Sequence, residues 1–264
     1  MDIFETHCHL NDDQLYGRID EIIDRARQAG VSKLLVVGWD YESSLKAIKI
    51  AEEYDFCYAA VGIHPENIYG VDETSLIDTL ELSKHPKVVA IGEIGLDYHW
   101  TKEPEKRELQ KQFFIRQIKY ANEHNLPIII HNREAFEDCL NILENNKPVA
   151  SGTMHCYSGS VELLKNVLDL GLYIGLDGPV TFKNAKTPKE VADVVPLDKL
   201  LLETDCPYLT PHPFRGSLNE PVNIRLVLDE IAAIKGLSKK HIAEVTFDNA
   251  CKLFRINKWN TLTV

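Results

Sequence analysis

Ile3-Phe4-Glu5-Thr6-His7-Cys8-His9-Leu10 decides how the rest of the chain is read. A short strand-like run leads straight into a His-x-His pair, where an open doubly wound sheet would carry its glycine-rich phosphate loop. Histidines stand in place of those glycines, which disfavours that fold. In an extended strand successive side chains alternate faces, so His7 and His9 point one way and Cys8 the other. Two imidazoles on one face make half a metal site, and the remaining ligands have to come from elsewhere in the chain.

Outward from this stretch, a short apolar run followed by a longer helical pattern recurs eight times. Residues 33–37, 57–61, 88–93, 127–131, 151–155, 172–176 and 200–205 form strands two to eight. The helical patterns between them cover 19–29 (stopped by Gly30), 41–54, 73–83, 105–123, 135–144, 161–170 and 189–194, and two more close the chain at 222–235 and 239–254. Such alternation implies a parallel sheet, and strands apolar along most of their length suit burial on both faces. Eight repeats in about 250 residues fit a closed (β/α)8 TIM barrel. No linker or low-complexity segment breaks the pattern, so a single domain is expected over residues 1–264.

Composition narrows the classes. With 40 acidic against 29 basic side chains the formal charge is -11, which argues against an electrostatic grip on long nucleic acid. A phosphate substrate held through metal ions is still compatible, because a bound cation dominates its own surroundings. No apolar run approaches the roughly 18 residues of a membrane span, and Met1-Asp2-Ile3-Phe4-Glu5 is no signal peptide. The expectation is a soluble cytoplasmic monomer with no membrane partner. The six cysteines show no CxxC pairing, in keeping with reduced thiols.

The polar residues fall in a pattern of their own. His7 and His9 follow strand one, and Glu93, His131, His155 and Asp205 end strands four, five, six and eight. In a closed barrel those ends share one rim, where barrel active sites are built. Singly, a histidine there can be a satisfied rim residue and a carboxylate can cap the next helix. Six metal-capable residues at one end of five strands point instead to a common cup. Four imidazoles and two carboxylates exceed a mononuclear zinc shell and suit two adjacent divalent ions. Glu93 is the natural bridge, with His7, His9 and Asp205 on one ion and His131 and His155 on the other. Mixed nitrogen and oxygen donors favour zinc, manganese, cobalt or iron over magnesium.

The ordered set THCHL, GIHPE, GEIGLDY, IIIHNREA, GTMHCYSGS, LLLETDCPYL, RGSLNEP and NACKLF runs from residue 6 to 254 and resembles the TatD family of metal-dependent hydrolases. Members of that family are described as deoxyribonucleases on a barrel shared with the wider amidohydrolase superfamily. The resemblance implies a divalent metal pair, phosphodiester cleavage, and ligand roles for His7, His9, Glu93, His131, His155 and Asp205. DNA or a small phosphodiester is then the expected substrate, with amide, ester or lactone hydrolysis on the same barrel as the alternative. Three departures stand out: Glu5 where the family has Asp, Asn132 where Ser is common, and a loop after strand eight whose only cation is Arg215. If the family's basic residues in that loop grip DNA, this chain should bind DNA weakly or prefer something smaller.

Other residues gather around this set. Asp205 and Glu93 are the expected catalytic carboxylates, Asp205 accepting or relaying a proton. Glu5 and Glu203 lie in phase with His7 and Asp205, and are expected below the metals, orienting an imidazole or making a buried structural hydrogen bond. His64 and Asp97 fall at the same rim, His64 as a substrate contact or a turn residue, Asp97 as an orienting group or a cap. Arg133 and Arg215 are the cations best placed for phosphate, with surface ion pairs as the competing reading. Tyr157, Ser158 and Ser160 could offer hydroxyls to substrate, although Ser160 also suits a helix cap. Cys8, Cys156 and Cys206 each follow a ligand, so alternation aims them away from the metals.

Overall fold

The computed structural model describes residues 1–257; the last seven residues of the expected domain, 258–264, lie outside the described residues. The strands are β1 (Ile3–Cys8), β2 (Val31–Val37), β3 (Cys57–Val61), β4 (Val88–Asp97), β5 (Ile128–Arg133), β6 (Gly152–Met154), β7 (Tyr173–Leu176) and β8 (Leu200–Leu202). They pair in parallel, in sequence order. β8 returns to β1 through the Thr6 hydroxyl on the Leu202 carbonyl (2.9 Å) and the Asp205 amide on the His7 carbonyl (3.0 Å). The result is an eight-stranded (β/α)8 TIM barrel.

The helices are α1 (Asp13–Tyr16), α2 (Ile19–Gln28), α3 (Tyr41–Glu53), α4 (Glu73–Glu81), α5 (Pro104–Glu123), α6 (Phe136–Asn145), α7 (Val161–Asp169), α8 (Lys186–Val194), α9 (Ile224–Lys235) and α10 (Lys239–Leu253). Their starts follow from local chemistry. The Asp40 carboxylate accepts the Ser43 amide at 2.8 Å while the Ser43 hydroxyl accepts the Asp40 amide, a capping box that starts α3. Ser160 caps α7 in the same sense, accepting the Leu163 amide.

Strand alternation splits the core in two. Leu34, Val36, Ala59, Ile128, Ile130, Leu200 and Leu202 join the apolar layer under the helices. Leu35, Val37, Ala60, Ile129, Tyr173 and Leu201 face the barrel axis, where Phe4, Phe254 and Ile256 close its amino-terminal end. His131 shares the face of Ile129, so the parity that fills one end with apolar side chains delivers imidazole to the other.

Five strands end elsewhere than expected: β1 runs through Cys8 and so takes in His7, and β5 runs two residues past His131 to Arg133. β4 continues four residues past Glu93 to Asp97, with a register shift between Ile91 and Ile94. Glu93 is therefore within a strand and Asp97 ends it. β6 and β8 are only three residues long, so His155 and Asp205 sit just beyond them. Asp205 (φ 54°) and Cys156 (φ 44°) both adopt left-handed backbone, an unfavourable conformation for a side-chain-bearing residue that tends to cluster at functional sites. Among the described residues no helix is long and apolar enough to cross a membrane.

Candidate metal centre

Glu93 stands at the middle of the cup and is 4% exposed. Its Oε2 lies 3.4 Å from His7 Nε2 and 3.5 Å from His9 Nε2. Its Oε1 lies 2.7 Å from His131 Nδ1 and 3.0 Å from His155 Nε2. Each oxygen thus serves a different pair of imidazoles. Asp205 Oδ1 faces the first pair, 3.7 Å from His7 Nε2 and 3.5 Å from His9 Nε2. His7, His9 and Asp205 bring one donor atom each within 4.8 Å of one another, as do His7, Glu93 and His155. A third such group joins Glu93 and His131 to His64, which the sequence had suggested as a substrate contact or a turn residue.

These donors fit divalent cations. His7 Nε2 and His9 Nε2 are 3.2 Å apart, about the separation of two nitrogens each roughly 2 Å from a shared ion. His9 Nδ1 donates to the Val37 carbonyl at 2.9 Å, which leaves the Nε2 lone pair of the neutral ring facing the centre. Burial lowers the His7 pKa, favouring the neutral, ligating form. Against that same desolvation, Asp97 and Glu93 push His131 up to about 9, and Glu93 and Glu203 hold His155 well above the usual histidine range. Glu93 sits well below the carboxylate range although burial opposes it, because His155, His64 and His131 surround it. The raised His131 and His155 mark where carboxylates favour positive charge, the same attraction a bound cation would meet.

The TatD related DNase family matches residues 4–255. The chain belongs to the TatD family. It is 49% identical to YabD of Bacillus subtilis, an uncharacterized metal-dependent hydrolase, over 97% of this chain and 100% of that one. It is 37% identical to the uncharacterized metal-dependent hydrolase YcfH of Escherichia coli K12, over 97% of each chain. The crystal structure of the TatD homologue YjjV from Escherichia coli superposes with a TM-score of 0.92 at 31% identity, over 97% of this chain and 98% of that chain. A mutant organophosphorus hydrolase, at 14% identity and a TM-score of 0.67, shares the fold, over 96% of this chain and 92% of that one. The protein is accordingly a metal-dependent hydrolase of the TatD family.

Behind this TatD centre, two of the three expected supporting carboxylates meet an imidazole. Asp97 Oδ2 is 3.0 Å from His131 Nε2, and its Oδ1 accepts the Trp100 amide, so it both orients and caps. Glu203 Oε1 is 3.5 Å from His155 Nδ1 and accepts the Cys156 amide. A Cβ on Gly175 would stand 2.2 Å from the Glu203 carboxylate, so only glycine leaves room for it. Glu5 takes the second of its two expected roles, a buried structural hydrogen bond. Its Oε1 accepts the backbone amides of His7 (3.1 Å) and Thr204 (2.9 Å), tying β1 to the segment after β8, and no ring contacts it. A register shift between Glu5 and Cys8 breaks the phase that would have set it beside an imidazole.

The centre opens into a cavity of about 670 Å³. Arg133 lines it with its guanidinium over the Trp100 ring, 5.6 Å from the centroid. Trp39, Trp100 and Tyr208 form aromatic walls that the sequence reading missed; Trp39 and Trp100 fall within three residues of a strand's carboxyl end, a searchable signal. Tyr157 and Arg215 are not brought to the cavity. Tyr157 is buried and donates its hydroxyl to the Ser160 carbonyl at 2.9 Å; Arg215 stacks 4.0 Å from the Phe182 centroid. Cys156 does line the cavity, because its left-handed backbone overrides strand alternation, while Cys8 and Cys206 are buried in the apolar layer. Asp177, just past β7, was also missed: it is buried beside the Cys156 thiol, and desolvation raises its pKa well above the carboxylate range.

Proposed function

We propose that this TatD protein hydrolyses phosphodiester bonds, with DNA ends or a small phosphodiester as substrate and two divalent cations as cofactor. The observation that carries the reading is Glu93, which turns one oxygen to His7 and His9 and the other to His131 and His155. A bridging carboxylate suits paired ions, and paired ions suit in-line displacement at phosphorus, where attacking and leaving oxygens both carry charge. The family's description as related to DNases supports the same chemistry. His7, His9 and Asp205 would hold one cation and His131 and His155 the other, with Glu93 between. Bound there, the cations supply Lewis acidity and bring the pKa of water down to about 7.

The chain's own residues do the rest. Asp205 faces the cavity beside His9 and accepts the proton of the attacking water. Arg133 neutralises a non-bridging phosphate oxygen, and Trp100, Trp39 and Tyr208 offer faces to a base or another flat group. A cup of about 670 Å³ with one arginine and no lysine in its lining suits a strand end or a small diester better than a long duplex. Arg215, engaged with Phe182 away from the cup, leaves the loop after β8 with little grip on a backbone.

The test is digestion of 5'- and 3'-labelled single- and double-stranded oligonucleotides, beside p-nitrophenyl phosphodiesters and simple carboxylic esters, with each divalent metal in turn. Metal-dependent release from the phosphodiesters, abolished by chelator, is expected. Turnover of the carboxylic esters alone would replace this reading with the carboxyl-ester alternative.

A further inference from the structure

We propose that His64 is a fixed hydrogen-bond donor to the substrate and not a ligand of the metals, its Nε2–H held in place by the Glu66 amide. Proximity alone suggests the opposite, since His64, Glu93 and His131 gather donor atoms within 4.8 Å and the His64 and His131 rings are 4.3 Å apart.

The hydrogen bonding of the ring decides between the two roles. The backbone N–H of Glu66 donates to His64 Nδ1 at 3.2 Å. A backbone amide can only donate, so Nδ1 carries no proton. The single proton of a neutral imidazole is then on Nε2, the atom turned toward Glu93. A protonated nitrogen has no lone pair for a cation. His9, across the same centre, is arranged in the reverse sense: its Nδ1 donates to the Val37 carbonyl, and its Nε2 is free to ligate. Two histidines on one cup are thus set in opposite tautomers by their backbone neighbours.

The turn carrying His64 is clamped. Gln117 bonds both backbone groups of Ile63, at 2.8 and 3.0 Å. The His64 amide donates to the Trp39 carbonyl at 2.9 Å and its carbonyl accepts the Asn67 amide at 2.8 Å. Flipping the tautomer would break the Glu66 bond in a segment with no slack. Glu93 Oε1, at 3.7 Å from Nε2, is beyond hydrogen-bond length and already faces His131 and His155. The Nε2–H therefore points across the cavity wall toward an oxygen that the substrate supplies. Resting on the phosphodiester reading, that oxygen is a phosphoryl oxygen gaining charge in the transition state, a role a neutral imidazole can fill.

Two readouts besides activity test this. In long-range proton–nitrogen spectra of 15N-labelled protein, with His64 located by its loss in His64→Gln, Nδ1 should be unprotonated and Nε2 protonated, before and after zinc loading. Zinc content per chain should be unchanged in His64→Ala and His64→Gln. With a phosphodiester substrate, kcat should fall about a hundredfold or more in His64→Ala, and the Gln side chain, which returns an N–H donor, should restore at least about tenfold. Deprotonation of Nε2 on zinc loading, or loss of one zinc in His64→Ala, would make the residue a ligand. Equal kcat losses in the two variants would make its role structural. Should the wild-type protein cleave no phosphodiester, the proposed function fails, while spectra and zinc content still decide between donor and ligand.

Discussion

The two ends of the same eight strands are built on opposite terms. At the amino-terminal end Phe4, Leu35, Ile129 and Leu201 pack along the axis, with the Phe4 ring 6.2 Å from Phe247 and 6.0 Å from Phe254. At the other end Glu93, Asp205 and the imidazoles crowd together, His7 Nδ1 is buried with no partner, and Cys156 and Asp205 hold left-handed backbone. Buried polar groups cost free energy unless they are paired, and the apolar end offsets that cost. The barrel therefore separates what stabilises it from what reacts, and each substitution should fall on one side of that division.

The largest effect expected lies at the reactive end. Glu93→Gln or Asp205→Asn should lower turnover about a thousandfold or more, because each removes several kcal/mol of transition-state stabilisation. Cooperative thermal unfolding and the far-ultraviolet circular dichroism should both survive. Full activity in either variant would break the division and the mechanism with it. Phe4→Ala is the converse experiment. Losing a large side chain at the closed end should cost about 3–5 kcal/mol of stability in urea titrations, while kcat per folded, metal-loaded molecule stays within about twofold. A parallel fall in metal affinity would show that the ends are coupled.

The division also explains what the sequence could and could not disclose. Hydrophobic parity runs unbroken through Leu35 and Val37 or Ile129 and His131, so the barrel and most of the centre were legible from which apolar runs ended in His, Glu or Asp. Parity fails where the backbone departs from a flat strand. The shift in β1 sends Glu5 to the amides of His7 and Thr204, and the shift in β4 extends that strand to Asp97. The left-handed Cys156 turns a supposed packing residue into a cavity wall. Tyr157 and Arg215 had the right chemistry at the right rim, but a carbonyl and a phenylalanine ring claimed them, and spacing carries no record of either.

A smaller effect should appear in how the metal-free protein responds to pH. His131 titrates near 9 in the fold against 6.5 as a free side chain, so its contribution is fully present below about pH 6.5 and lost as pH rises through 9. Glu93 is shifted the other way, so its contribution is present above about pH 4.5 and lost as pH falls through its depressed value. Urea titrations in chelator should show stability declining above neutral pH, and His131→Asn should flatten that decline. Phe4→Ala should lower the whole profile without changing its shape. An alkaline decline untouched in His131→Asn would remove His131 as its origin and shift it to His155, which its carboxylate neighbours also hold above the usual range, or to groups outside the centre.

The smallest effect separates two arginines that sequence alone ranks together. Arg133 lines the cavity over Trp100, where a second phosphate or the outer oxygen of the scissile one can reach it. Arg215 has its guanidinium on Phe182 and takes no part in the lining. Arg133→Ala should raise KM for a phosphodiester about tenfold, the roughly 1.4 kcal/mol of one exposed charge-assisted contact, and leave kcat nearly unchanged, since binding shared by ground and transition states acts on KM alone. Arg215→Ala should change KM less than about twofold. If Arg215→Ala has the larger effect, the loop after β8 closes over bound substrate, and the reactive end of the barrel reaches further along the chain than its cavity does in this structure.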